Sequence, residues 1–308
     1  MIKKYENTIF EDDNINILRN LPSNIVDLIC IDPPYNISKD YWDIFKTKEE
    51  YLLFIIERIK ESIRVLKPNG SFYIFHNDYL VLNEIVNLIL KETTLEFKQF
   101  ITWNKRFKDS KNKGFLDGYV CLTANKNYQK MAEYIVYFTN TEYKKDLNEY
   151  FQLLGKSIGG TKKINEFYGH RKYENCFVDI DKPYWYLMNE ELYNQLFQDF
   201  KTKLESFNKR EYKELKTLTY NNQNNSHSVW DYDIASKEIH ITPKPIDLLK
   251  NIILHSSDEN DLCMDYFAGT GSFGKACVQT NRKYILIERD KNYIEYINKE
   301  LKNKLFEF

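Results

Sequence analysis

Apolar and polar positions along the chain fall into two alternating rhythms at both ends and lose that order in the middle. Ile25 to Ile31 (IVDLICI) is a short β-branched apolar run that stops at Asp-Pro-Pro, the pattern of a buried strand ended by prolines. From Glu49 to Leu66 the apolar residues Leu52, Leu53, Ile56, Ile59, Ile63 and Leu66 recur at helical spacing. Pro68-Asn69-Gly70 then predicts a turn into a second strand, Ser71 to Phe75. A helix is expected over Tyr79 to Lys91, and strands over Phe97 to Trp103 and Glu133 to Thr139. The alternation returns near the carboxyl end: helix Ile246 to Leu254, strand Leu262 to Asp265, helix Ser272 to Thr280, strand Tyr284 to Glu288, helix Lys291 to Leu305. Strands alternating with helices predict an open α/β sheet. Between about Thr141 and Ser236 the β-branched alternation fades and Lys, Asn, Tyr and Glu dominate, which reads as an inserted, mostly helical region. Within it, Tyr220 to Ser228 (YNNQNNSHS) reads as a polar loop. The expected organisation is therefore a catalytic domain made of residues 1–140 and 237–308, with residues 141–236 inserted.

Composition narrows this picture. The 308 residues, with 24 Tyr and 20 Phe, are enough for a large packed core. Cys30, Cys121, Cys176, Cys263 and Cys277 form no CxxC pair, so neither a disulfide framework nor a zinc site is expected, and no metal is assigned. The start, Met1-Ile-Lys-Lys-Tyr-Glu, has no apolar stretch of signal type, and no apolar run is long enough to span a bilayer. The expectation is a soluble cytoplasmic protein without membrane contact. The formal net charge of -1 is uninformative, but its distribution is not. Lys98 to Asn175 holds 15 Lys and Arg against 8 Asp and Glu, so the rest of the chain is acidic. That asymmetry suits a protein meeting phosphates with one face; an ordinary lysine-rich surface is the alternative.

Two motifs carry chemistry. Asp32-Pro33-Pro34-Tyr35 follows a strand, and ligands of open α/β sheets sit beyond the carboxyl ends of strands. The prolines fix φ and remove N–H donors, leaving carbonyl acceptors. The Asp32 carboxylate and the Pro33 carbonyl can together accept from an NH2 group, drawing an aromatic amine toward sp3 geometry and stabilising the positive charge it gains on attacking an electrophilic methyl group. Tyr35 offers a ring to stack on an extruded base. The second motif, Asp265-Tyr266-Phe267-Ala268-Gly269-Thr270-Gly271-Ser272, lies at another strand-to-helix junction, where glycines admit a ligand close to the backbone. Glu288 ends the next strand and is placed to accept from ribose hydroxyls. With Gly274 the loop spells the G-x-G-x-x-G of dinucleotide sites, but nothing else in the chain supplies hydride chemistry.

Together these residues resemble the amino-group DNA methyltransferases of restriction-modification systems. Asp32-Pro33-Pro34-Tyr35 is similar to their catalytic motif, and Phe267-Ala268-Gly269-Thr270-Gly271 to their S-adenosylmethionine loop. The catalytic motif precedes the cofactor loop, with an insertion between, which resembles the circularly permuted β class. Ile9 to Pro22 (IFEDDNINILRNLP) is similar to the family's GDxxxxLxxLP stretch, although Asp12 stands where Gly is usual. The resemblance places Asp13 near the adenine of the cofactor. His240-Ile241-Thr242-Pro243-Lys244-Pro245 is similar to the family's H-P-T-x-K-P segment, departing in its first half, and brings in Lys244. The resemblance implies an S-adenosylmethionine-dependent methyltransferase fold, Rossmann-like, mostly parallel, with helices on both faces. It assigns Asp13, Asp32, Lys244, Asp265, Phe267, Ala268, Gly269, Thr270, Gly271, Ser272 and Glu288 to the cofactor.

The same resemblance makes the insertion a target recognition region. Lys156 to Gly169 reads as a helix, a glycine turn and a second helix, followed by His170, Arg171 and Lys172. This is either a helix-turn-helix-like unit with basic side chains aimed at DNA or a small packing subdomain. Lys105 to Lys113 (KRFKDSKNK) is expected to be a mobile loop that brings Lys105, Arg106 and Lys108 to phosphates, or else a solvated loop. The expected activity is methylation of adenine N6 in double-stranded DNA. Its alternatives are N4 of cytosine, an RNA substrate, and a non-catalytic DNA-binding relative. A cognate restriction endonuclease acting separately is an optional partner, and both monomer and homodimer stay open.

Overall fold

The structure is a computed structural model. It describes residues 2–37, 43–111, 131–169, 174–215, 227–235 and 243–304. Among these residues the chain forms two compact units, 1–139 with 221–308, and 140–220.

The larger unit is built on one sheet. Its strands are β1 (Thr8–Glu11), β2 (Val26–Ile31), β3 (Leu66–His76), β4 (Leu95–Asn104), β5 (Ala132–Asn140), β6 (Val229–Asp231), β7 (Leu262–Asp265) and β8 (Lys283–Glu288), in the order β1-β8-β7-β2-β3-β5-β4-β6. The pairs β1–β8, β8–β7, β7–β2, β2–β3 and β4–β6 are parallel, while β3–β5 is antiparallel. The helices on this unit are α1 (Asn14–Asn20), α2 (Lys48–Val65) and α3 (Tyr79–Glu92) in the first stretch. Alternate residues of each strand point to opposite faces. Ile29 and Ile31 of β2 join Ile55 and Ile59 of α2 and Ile85 of α3 in one core. Leu28 and Cys30 join the opposite core, whose helical residues Leu248, Ile252, Phe273 and Ile297 come from the second stretch. The expectation of a mostly parallel sheet covered on both faces is met.

The smaller unit is helical, with α4 (Thr141–Ile158), α5 (Thr161–Tyr168), α6 (Glu190–Asp199) and α7 (Tyr212–Leu215). It has a core of its own, centred on Leu147, Phe151, Leu154, Ile164, Met188, Tyr193 and Leu196. The turn between α4 and α5 is made by Gly159 and Gly160, both at positive φ (113° and 89°). Completing the larger unit are α8 (Ile246–Ser256), α9 (Ser272–Gln279) and α10 (Lys291–Lys304).

Three details differ from the sequence reading. Thr8–Glu11 and Asn14–Asn20 form a strand and a helix that the apolar pattern did not announce. Pro68-Asn69-Gly70 does not separate two elements but bulges within β3, where the register with β2 jumps from Val26↔Leu66 to Leu28↔Ser71. Val229–Asp231 is not part of the insertion: it pairs with β4, and the Trp103 indole donates to the Tyr232 carbonyl at 2.8 Å. No helix among the described residues is long and apolar enough to cross a membrane.

Candidate active site

Parallel strands bring their carboxyl ends to one edge. Glu11, Glu288, Asp265, Ile31 and His76 end β1, β8, β7, β2 and β3, so the segments that follow them share that edge. A cavity opens there, and its wall contains Asp12, Asp13, Asp32, Asp265, Glu288 and Asp290 against the two cations Lys244 and Arg289. Such a wall favours a cationic ligand over an anionic one.

On the glycine-loop side, Gly271 precedes α9 at φ 74°, a left-handed conformation natural to glycine. A β-carbon added there would stand 2.9 Å from Ile297. One at Gly274 would stand 2.6 Å from Leu286, so that glycine lets helix and strand pack closely. The Gly269 N–H donates to Glu288 Oε2 at 2.8 Å, while Glu288 Oε1 accepts from the N–H groups of Arg289 and Asp290. The loop amide that a pyrophosphate would need thus already holds a carboxylate, which argues against a dinucleotide. Glu288 keeps spare lone pairs toward the cavity, and burial pushes its carboxyl upward in pKa. Asp265 accepts from the Phe267 N–H at 2.9 Å. Burial, reinforced by neighbouring Asp32 and Glu288, nevertheless pushes its carboxyl up to about 8. Phe267, Ala268, Thr270 and Ser272 line the cavity beside them.

Asp13 also lines the cavity and caps α1 by accepting from the Ile15 N–H at 3.2 Å. Its carboxylate is held by Arg58 at 2.9 Å, and the Arg58 Nε donates to Asn14 at 2.6 Å. Arg58 is buried on α2, with its guanidinium 3.5 Å from the centre of the Phe54 ring. Asn14 in turn donates to the Tyr266 carbonyl at 2.7 Å, tying the segment after β1 to the segment after β7.

Across the cavity lies the Asp-Pro-Pro-Tyr turn. Pro33 and Pro34 are buried and line the wall. The Tyr35 hydroxyl donates to Asp32 Oδ1, and the Lys244 ammonium donates to Asp32 Oδ2. Lys244 also lies 3.4 Å from Glu133 Oε2 on β5, and Glu133 Oε1 takes the Lys105 ammonium. Lys105, Glu133, Lys244 and Asp32 are therefore a chain of alternating charges running into the site. Burial works to depress the Lys244 pKa, and the carboxylates of Asp32 and Glu133 outweigh it, so the ammonium is held above its ordinary value. His76 backs the Tyr35 ring at 4.6 Å between centroids. It takes the Asp78 N–H on Nδ1 and meets the Tyr51 hydroxyl at 3.1 Å, and burial drops its pKa to about 4, so it is neutral. Asn36, at φ 55°, and Ile37 donate their N–H groups to Asp43 at 2.5 and 3.0 Å, fixing the chain as it leaves Tyr35.

The structure thus gathers Asp13, Asp32, Pro33, Pro34, Tyr35, Lys244, Asp265 and the glycine loop at one cavity. It corrects the reading of Lys105. That side chain is buried and ion-paired to Glu133, so its charge is spent inside the protein and not on phosphates. In the described part of the segment after it, Asp233 accepts from the Ser110 hydroxyl at 2.7 Å and from the Lys111 N–H at 3.0 Å. Arg106 and Lys108 are exposed on that segment. His170, Arg171 and Lys172 lie outside the described residues. Sequence reading missed Glu133, Asn14, Arg58, His76 and Asp43. Arg58 had a signal: it occupies a core position in the apolar stripe of α2, between Ile55 and Ile59.

A family model described as DNA methylase, for the N6 and N4 methyltransferases, matches residues 26–299. The chain belongs to this DNA methylase family. Among the family's relatives, it is 26% identical to the type II methyltransferase M.HpaI of Haemophilus parainfluenzae, over 93% of this chain and 71% of that protein. It is also 26% identical to M1.MboII of Moraxella bovis, over 95% of each. The DNA adenine methyltransferase YhdJ of Escherichia coli K12 is 28% identical over 94% of this chain and 80% of its own. Two solved structures share the DNA methylase fold. PvuII DNA methyltransferase, described as cytosine-N4-specific, superposes with a TM-score of 0.58 at 12% identity, covering 95% of this chain and 85% of that one. The M1.HpyAVI–SAM complex does so with a TM-score of 0.53 at 19% identity, covering 96% and 98%.

Proposed function

We propose that this chain is a site-specific DNA methyltransferase that transfers the methyl group of S-adenosylmethionine to N6 of adenine in double-stranded DNA. The observation that carries the reading is the Asp32 carboxylate facing a cavity rich in carboxylates and floored by the glycine loop. S-adenosylmethionine supplies an electrophilic methyl group on a cationic sulfur, which suits that wall. The residues assigned to hold it are Asp13, Asp265, Glu288, Lys244 and the loop from Phe267 to Ser272. Glu288 receives ribose hydroxyls on the lone pairs its backbone partners leave over. Asp32 and the Pro33 carbonyl accept from the target amino group. Their attraction grows as the nitrogen becomes positive, so they stabilise the transition state more than the bound base. The methylated amine then gives its extra proton to solvent water, which restores its neutrality. Tyr35, backed by His76, is the ring on which the extruded base stacks.

Adenine is favoured by Asp at the first position of the motif and by the likeness to an enzyme named for adenine. N4 of cytosine is the second reading, favoured by the likeness of fold to PvuII DNA methyltransferase. The helical unit over residues 140–220, with its separate core, is the proposed target recognition region. The biological role is that of the modification enzyme of a type II restriction-modification system, with any endonuclease acting apart from it. The test is nucleoside mass spectrometry with long-read methylation sequencing of DNA from a host expressing the chain. N6-methyladenine at one recurrent sequence is expected. N4-methylcytosine would overturn the choice of base, and unmodified DNA would overturn the activity. In parallel, the purified chain should bind S-adenosylmethionine and not NADH in equilibrium titration.

A further inference from the structure

We propose that Glu133 is a positioning residue for methyl transfer: it shares the Lys244 ammonium with Asp32, so that Lys244 engages one Asp32 oxygen and the other, which holds the Tyr35 hydroxyl, keeps a lone pair for the target amine. The inference rests on the activity proposed above and adds a residue from outside both sequence motifs.

The geometry is specific. The side chains of Lys244, Glu133 and Lys105 are 7%, 6% and 11% exposed, while Asp32 is 25% exposed at the cavity. Glu133 is the carboxylate common to both lysines. Lys244 meets Glu133 from β5 on one side and Asp32, after β2, on the other. Among the described residues, the other groups facing it are the Tyr35 hydroxyl at 3.4 Å and the rings of Tyr35 and Phe75, each at 5.5 Å, with the buried Asp265 and Cys30 acting electrostatically nearby. An ammonium has three N–H donors and no preferred plane. Held between two carboxylates, it hydrogen-bonds Asp32 and is drawn toward Glu133 as an ion pair at 3.4 Å. Deprived of Glu133, it keeps Asp32 as its one ion-pair partner among the described residues, spreads over both carboxylate oxygens, and displaces the Tyr35 hydroxyl or the target amine from Oδ1. Sharing also matters electrostatically. A carboxylate fully neutralised by one lysine responds weakly to charge growing on a third group, whereas one that shares its lysine keeps more of its own field.

Lys105 completes the arrangement. Among the described residues Glu133 also pairs with the buried Lys105, so it faces Lys244 with a second cation beside it. The buried lysine at the head of the basic segment thus balances the carboxylate that steers Lys244.

The experiment compares the full-length wild-type chain with Glu133→Gln, Glu133→Asp, Lys105→Met and the double variant Glu133→Gln with Lys105→Met. Single-turnover methyl transfer is followed at saturating S-adenosylmethionine and DNA across neutral to alkaline pH, with DNA affinity and thermal unfolding measured beside it. Glu133→Gln should slow transfer by about tenfold or more and change DNA affinity by less than about threefold. Removing the carboxylate lowers the pKa of Lys244, so activity should fail at a lower alkaline pH than in the wild type. Glu133→Asp should recover part of both losses. If Glu133→Gln folds poorly, the double variant removes a compensating charge and must show the same slow transfer and the same displaced pH limb. Wild-type rate and pH profile in any folded variant carrying Glu133→Gln would overturn the proposal. So would Lys105→Met reproducing the whole loss, since Glu133 would then serve Lys105. A wild-type chain that transfers no methyl group sinks the activity itself and this inference with it, an outcome distinct from indifference to Glu133→Gln.

Discussion

If Asp32 accepts from the target amine as proposed, replacing it isolates that acceptor. Its carboxylate has two internal partners, the Tyr35 hydroxyl on Oδ1 and the Lys244 ammonium on Oδ2, and it remains partly open to the cavity. Asp32→Asn keeps the shape and an oxygen for Tyr35 but removes the charge; Asp32→Ala removes both. Lys244 retains Glu133 at 3.4 Å in either case, so no buried cation is stranded. The stability loss should therefore stay near that of one charged hydrogen bond, about 1.5–3 kcal/mol. The kinetic loss should be larger. Removing one preorganised polar partner from developing charge costs about 10²–10³ in rate, or roughly 2.7–4 kcal/mol. DNA affinity should move little, because phosphate contacts dominate it. Rapid-quench single-turnover methylation with donor and DNA both saturating separates these effects. Asp32→Ala transferring methyl groups at the wild-type rate would refute the reasoning, and Asp32→Asn losing DNA affinity in step with rate would show that Asp32 serves binding instead.

Three further outcomes are expected. Asp265 holds its proton up to about 8 in the fold, against 3.8 when unfolded. The unfolded chain releases that proton earlier, so this group's contribution to stability is full at low pH and declines as pH rises from 3.8 to about 8. Asp265→Asn should flatten the decline in a series of denaturant unfolding curves, and should also weaken any rise of S-adenosylmethionine affinity over the upper part of that window. Gly271→Ala should lower stability by about 1–3 kcal/mol through its left-handed backbone and its clash with Ile297, and Ile297→Ala in the same chain should return part of that in a double-mutant cycle. If the segment after α5 meets DNA, Arg171→Ala with Lys172→Ala should reduce the slope of log affinity against log salt by about 1.8, leaving S-adenosylmethionine titrations unchanged.

Long apolar stretches and strand-ending motifs were readable from the residues, because burial on both faces leaves continuous runs such as Val26–Ile31 and Lys283–Glu288. Elements lacking such runs were not. Thr8–Glu11 has only four residues, none fully buried, and Val229–Asp231 has three beside a polar stretch. Both are edge strands, specified by their neighbours more than by themselves. At the site, the motifs marked Asp32 and the glycine loop because several unusual residues stand together. Glu133 is a single acid opening a strand, and only the fold reveals that two lysines converge on it. Lys105 misled for the complementary reason: a buried, paired lysine and a solvated one look alike inside a run of basic residues.

The sheet order carries a consequence for synthesis on the ribosome. Strand β2 lies between β3 and β7, and Leu28 must find Cys263, a partner more than two hundred residues further along the chain. Glu288, which completes the cavity wall, comes later still. A growing chain therefore exposes its Asp-Pro-Pro-Tyr turn long before the carboxyl-terminal wall of the cavity exists. Such distant pairing is slow to form and vulnerable while it waits. Until the carboxyl-terminal strands arrive, the nascent protein is without the means to alter DNA, and any chain cut short before β7 stays so.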